Sequence, residues 1–135
     1  MNRKIKNTQS YNYISAIFAF ILWGGWSFYV NAQVGFKAGL VSGLTQGICS
    51  FMITLFIAYL IEKQFNFYQN DTLKLCLPPV CTVLLTGSCL VAIHHFIGTP
   101  NIIKTLVPVL TVAFLFAVVT NFKLYKTQKS HITHI

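Results

Sequence analysis

Acidic residues are almost absent. The 135-residue chain holds two, Glu62 and Asp71, against ten Lys and Arg, and neither falls inside a long apolar run. Carboxylates within a bilayer are costly and mark proton and cation relays, so their absence argues against ion-coupled exchange. It also argues against metal-assisted hydrolysis, because no carboxylate completes a His-based site. Glycine-rich phosphate loops of the GxxxxGK[ST] or GxGxxG type are missing too, which removes the usual signature of nucleotide binding. The four cysteines, Cys49, Cys76, Cys81 and Cys89, show neither CxxC nor Cys/His spacing suited to zinc and are expected to be small buried hydrophobes. Ser88 precedes His95 by about 10 Å along a helix, too far for a direct hydrogen bond. Nucleophilic catalysis therefore lacks a nucleophile and base within reach. The expectation is a non-enzymatic protein with no cofactor and no metal.

What is present is apolar. With 55% hydrophobic and 9% charged residues, the chain has too little polar surface for a soluble domain. A membrane helix needs about 20 largely apolar residues, and four segments qualify, at about 14–33, 38–61, 77–97 and 102–121. Residues 1–135 read as a single membrane domain. The net charge of +8 then reflects orientation rather than nucleic-acid binding. Arg3, Lys4, Lys6, Lys63, Lys74, Lys123, Lys126 and Lys129 collect on one side, and Lys37 and Lys104 on the other. The expected fold is all-α, with four transmembrane helices as two antiparallel hairpins and both termini cytoplasmic. A middle loop of about 15 residues, EKQFNFYQNDTLKLC, would lie on the cytoplasmic side, and the short tails read as flexible. Val30-Asn31-Ala32 has the look of a signal cleavage site. The run before it exceeds the usual length of about 7–15 residues, and it carries Trp23, Trp26 and Tyr29, so the first span is expected to be retained.

Punctuation supports tight turns. Gly98-Thr99-Pro100 supplies a turn, an N-cap and a proline for the first helical position of the fourth span. Pro78 and Pro79 start the third span, while Pro108 lies inside the fourth and should free the carbonyl of Lys104.

The second span is two-faced. Stepping 100° per residue, Gly39, Ser42, Gly43, Gln46, Gly47, Ser50 and Thr54 share one arc, and Leu44, Ile48, Phe51, Leu55 and Tyr59 the other. Gly35 continues the spacing but belongs to the turn. Lipid gives helices no hydrophobic reason to associate, so small residues and interhelical hydrogen bonds must supply the attraction. Gly39, Gly43, Gly47 and Ser50, with Gly24 and Ser27 on the first span, are the candidate packing residues of a glycine zipper. The face could lie within the chain, between copies in a homo-oligomer, or along a path. Gln46, Asn31, Trp23, Trp26, His94 and His95 are candidates for a ligand site or path. The indoles could be interfacial anchors or a stacking platform. The adjacent histidines, about 100° apart on a helix, could add to a weakly basic outer vestibule with Lys37 and Lys104.

The stretches WGGWSFYVN, GLTQG and GTPNIIKTLVP resemble a family of small four-span bacterial inner-membrane proteins without assigned activity. The likeness runs from about Ile21 to Pro108, implies a multi-pass inner-membrane location, and carries no catalytic or binding residues. Length and span number are shared with the small multidrug resistance antiporters, whose membrane-embedded Glu is lacking here. They are shared also with GtrA-like proteins, which are proposed to help flip polyprenyl-linked sugars. The functional expectation is binding or facilitated passage of a lipid-linked or amphipathic solute. The alternative is a non-catalytic accessory or assembly subunit of a membrane complex. Membrane lipids are the expected partners, with a second copy or another membrane protein as further candidates and no nucleic acid.

Overall fold

A computed structural model describes residues 9–134, with side chains from Asn12 onward; Arg3, Lys4 and Lys6 lie outside the described residues. Among those residues all regular structure is α-helical: α1 (Gln9–Ala32), α2 (Phe36–Phe67), α3 (Asp71–Phe96) and α4 (Ile102–Thr133). Each helix is long and apolar enough to cross a membrane. Side chains that a soluble protein would hide point outward, among them Leu44, Ile48 and Tyr59 of the greasy arc of α2.

The turns at 33–35 and 97–101 lie at one end of the bundle, called here the two-turn end. The turn at 68–70 and the described C-terminus lie at the other, the tail end. Gly98 takes a left-handed conformation, φ 74°, which closes α3 without the Cβ clash another residue would suffer. The start of α4 differs from the Gly-Thr-Pro expectation. Its N-cap is Asn101, with no side-chain cap; Pro100 sits in the turn, and the Thr99 hydroxyl is engaged by His94 instead.

The tail end also departs from the sequence reading. In place of a 15-residue loop, α2 and α3 are joined only by residues 68–70. Asn70 caps α3, its Oδ1 accepting from the backbone N–H of Thr72 at 2.8 Å and of Leu73 at 3.4 Å, with Asp71 favourably placed in the first turn. The C-terminal tail is helical to Thr133. At 32 residues each, α2 and α4 are about 48 Å long, well beyond a hydrocarbon core of about 30 Å.

α1 lies along the glycine face of α2. As α1 runs from Phe20 to Ala32, its neighbours on α2 run backward from Gly47 to Gly39. A Cβ on Gly43 would stand 2.9 Å from the Cβ of Phe28 and 3.0 Å from the carbonyl oxygen of Gly24. A Cβ on Gly24 would meet the oxygen of Gly43 at 3.1 Å. The backbones approach this closely because Gly24 and Gly43 carry no side chain where they meet. Gly25 and Gly35 face open space.

α3 packs on α4 and α2, and at the tail end Ile57, Ile61, Phe65, Ala117 and Leu124 form one buried cluster. Prolines interrupt both α3 and α4, and each carbonyl they release is taken up by another helix. Pro78 and Pro79 supply no N–H to the carbonyls of Lys74 and Leu75, four residues earlier. Asn121 Nδ2 of α4 donates to both, at 2.8 and 3.0 Å. Pro108 likewise releases the carbonyl of Lys104, and Trp26 Nε1 of α1 donates to it at 3.1 Å.

Candidate functional site

Two polar clusters occupy the bundle interior near the two-turn end. In the first, His94 is fully buried, with Nε2 2.7 Å from Gln46 Oε1 and Nδ1 2.7 Å from Thr99 Oγ1. Gln46 Nε2 in turn donates to Ser50 Oγ at 2.8 Å, and Ser42 Oγ donates to Thr99 Oγ1 at 3.4 Å. These roles fit a neutral imidazole with its proton on Nε2, accepting the Thr99 hydroxyl at Nδ1. In the second cluster, Asn31 Nδ2 donates to Ser27 O and to Thr105 Oγ1, both at 2.9 Å. Asn31 Oδ1 accepts from the backbone N–H of Asn101 at 3.0 Å.

The six residues expected to line a ligand site are therefore not gathered in one place. Gln46 and Asn31 are fully buried and bonded within the chain. His94 points inward whereas His95 is exposed, beside Gly87, Ser88 and Leu110, so the pair forms no common vestibule. Ser88 donates to the carbonyl of Leu84 at 2.7 Å, its own helix. Cys76, Cys81 and Cys89 are exposed rather than buried, and all four cysteines are free thiols. No group of three metal-ligating side chains occurs among the described residues.

An interior this dependent on hydrogen bonds gives a direct test. Gln46→Leu strands the His94 Nε2 proton and the Ser50 hydroxyl together, and each buried unpaired group costs about 1–3 kcal/mol. We expect a clear drop in the midpoint of denaturation in mixed detergent micelles, whereas Gln33→Leu, at an exposed position, should leave the midpoint unchanged. An unaltered midpoint for Gln46→Leu would contradict the assigned bonds.

Trp23 and Trp26 do share a surface. α1 and α4 meet at the two-turn end through the Trp26 and Asn31 bonds to Lys104 and Thr105 but stand apart deeper in the bundle. Between them lies a cleft of about 250 Å³. Phe18, Leu22 and Trp23 of α1 form one wall, Val109, Ala113 and Phe116 of α4 the other, and Ile53, Ile57 and Leu90 lie behind them. Ser15, Ser50, Thr54 and Thr86 also line it; the two threonine hydroxyls donate to the carbonyls of Ser50 and Thr82 and Ser50 Oγ accepts from Gln46, and the rest of the lining is apolar. One helical turn nearer the two-turn end, a shallow and more open groove of about 800 Å³ continues along the same two helices. Trp26, Tyr29, Gln33, Asn101, Lys104 and Pro108 line it.

The signal for this cleft was available only in part. The indoles could be singled out by type and spacing, but their α4 neighbours could not, because nothing in the apolar run 109–116 distinguishes a cleft wall from any lipid-facing turn.

Comparison with protein-family models, curated proteins and solved structures gave no match. Among the described residues the architecture is that of four helices long and apolar enough to span a membrane.

Proposed function

We propose that the protein binds a lipid-linked or amphipathic solute from the side, between α1 and α4, and eases its passage through the bilayer as a non-catalytic component. The observation that carries this reading is the apolar cleft opening beside a more polar groove, within helices of membrane-spanning length. A chain-like apolar moiety suits the first and a polar head the second, the division typical of binding sites in which a few polar groups fix orientation. The accessory-subunit reading has less support, since the glycine face that suggested docking is covered by α1.

With α1–α2 and α3–α4 as two antiparallel hairpins in a bacterial inner membrane, the lysine distribution supports placing the tail end on the cytoplasmic side. Among the described residues Lys63, Lys74, Lys123, Lys126 and Lys129 belong to that end, and Lys37 and Lys104 to the two-turn end. In this orientation the groove opens at the outer leaflet.

The chain has two tryptophans, one in each part of the proposed site, which makes binding measurable by fluorescence. Titrating the detergent-solubilised protein with a mid-chain brominated fatty acid should give saturable quenching. Its saturable component should vanish in Trp23→Phe and weaken several-fold in Ala113→Phe, which narrows the cleft. Quenching that never saturates, or that ignores both substitutions, would rule out a chain-binding cleft.

A further inference from the structure

Resting on that cleft reading, we infer that the groove at the two-turn end selects an anionic lipid headgroup, with Lys104 as its specificity-determining residue. Charge complementarity carries the argument. The only two acidic residues of the chain, Glu62 and Asp71, both lie at the tail end, on the last turns of α2 and the first of α3. No carboxylate therefore opposes Lys104, which is exposed and lines the groove. An ammonium facing a lipid phosphate at a partly dehydrated surface attracts it more strongly than in bulk water, and both carboxylate side chains of the chain lie at the opposite end of the bundle, beyond a screening length of about 10 Å.

The position of Lys104 is fixed from two sides. Its carbonyl, released by Pro108, is held by the Trp26 indole at 3.1 Å. The neighbouring Thr105 hydroxyl accepts from Asn31 at 2.9 Å. Both bonds tie this turn of α4 to α1. Trp26 and Tyr29, with ring centroids 6.2 Å apart, flank the groove, and aromatic rings with one polar edge settle at the headgroup level. Gln33 is exposed and lines the same groove; its Nε2 donates to the carbonyl of Tyr29 at 3.4 Å and carries a second N–H that suits a phosphate oxygen. The arrangement places a cation and polar donors one helical turn from an apolar cleft, the spacing of a headgroup from the start of its own chain. The occupant is thus an anionic lipid, not a free anion.

Native mass spectrometry with phosphatidylglycerol and phosphatidylethanolamine of identical chains, supplied together in equal amounts, tests this. The wild-type protein should retain phosphatidylglycerol at least five-fold over phosphatidylethanolamine. Lys104→Gln should bring that ratio close to one while total lipid retained stays the same, and Lys104→Arg should keep the preference. Substituting Lys126 and Lys129 together by Gln should leave it unchanged. If the wild type shows no preference, or Lys104→Gln retains it, the headgroup assignment is wrong. If Ala113→Phe and Leu22→Phe both fail to lower total lipid retention, the cleft reading beneath it is wrong instead.

Discussion

Replacing Gly43 by leucine is expected to unfold the isolated chain rather than release a partner from it. A single Cβ at this position would already lie 2.9 Å from the Cβ of Phe28 and 3.0 Å from a backbone oxygen, and leucine adds three further carbons in the same direction. Neither neighbour is the far end of a flexible side chain, so relief requires the helices to separate. At the two-turn end they cannot separate freely, because residues 33–35 alone connect them. Overpacking in a well-filled interior usually costs about 1–3 kcal/mol. Here the cost should reach or exceed the top of that range, since close backbone approach is itself the main attraction between helices in lipid. Gly25→Ala is the matched control. It faces open space, and alanine improves helix propensity by about 1 kcal/mol over glycine, so its stability should be unchanged or raised. Circular dichroism during titration with a denaturing detergent reads both. A Gly43→Leu chain that keeps the wild-type midpoint but changes copy number in native mass spectrometry would move the glycine face to an interface between chains.

Some of this architecture could be read before any coordinates. The four spans follow from runs of apolar residues, and the two faces of α2 follow from four-residue spacing, which places Gly39, Gly43 and Gly47 on one side whatever the partner. The partner was marked in part: Gly24 of the first span stood out as a packing residue and does meet Gly43 and Gly47, whereas Phe28 and Ala32, which also line the crossing, differ little in kind from lipid-facing positions. The tail end was misjudged for a physical reason. Asn70-Asp71 is a good helix start, but polar residues such as Glu62, Gln64 and Asn66 resemble a loop when judged by hydropathy, although they can continue a helix past the bilayer into water. His94 and His95 show the limit most plainly. Adjacent and alike in sequence, one is sealed inside and the other exposed, because only His94 falls on the face of α3 turned towards Gln46. The Thr99 hydroxyl was free to close that network because Asn101, not Thr99, begins α4.

The proline-released carbonyls lead to the second large expected effect, a reversal of sign between two backgrounds. In the wild-type chain, Asn121→Leu leaves the carbonyls of Lys74 and Leu75 without the donor that reaches both, and we expect a loss of about 1–3 kcal/mol. Single interhelical hydrogen bonds in membrane proteins often measure only about 0.6 kcal/mol, because the unfolded state in lipid finds other partners. Two carbonyls served by one amide should exceed that figure. The release itself is covalent in origin: Pro78 and Pro79 have no N–H to offer in any state of the chain. When both prolines are replaced by alanine, the i→i−4 bonds to Lys74 and Leu75 can form within α3, and Asn121 loses its acceptors. Its Oδ1 is already buried with no hydrogen-bond partner, so the whole amide then becomes a buried polar group with nothing to bind, and its removal by leucine should be neutral or stabilising. The interaction between the two sites, read from the four denaturation midpoints and slopes of a double-mutant cycle, should therefore exceed about 1 kcal/mol. Equal losses for Asn121→Leu in both backgrounds would mean that the amide acts through packing alone. A coupled result would assign it to holding α4 against the interrupted start of α3.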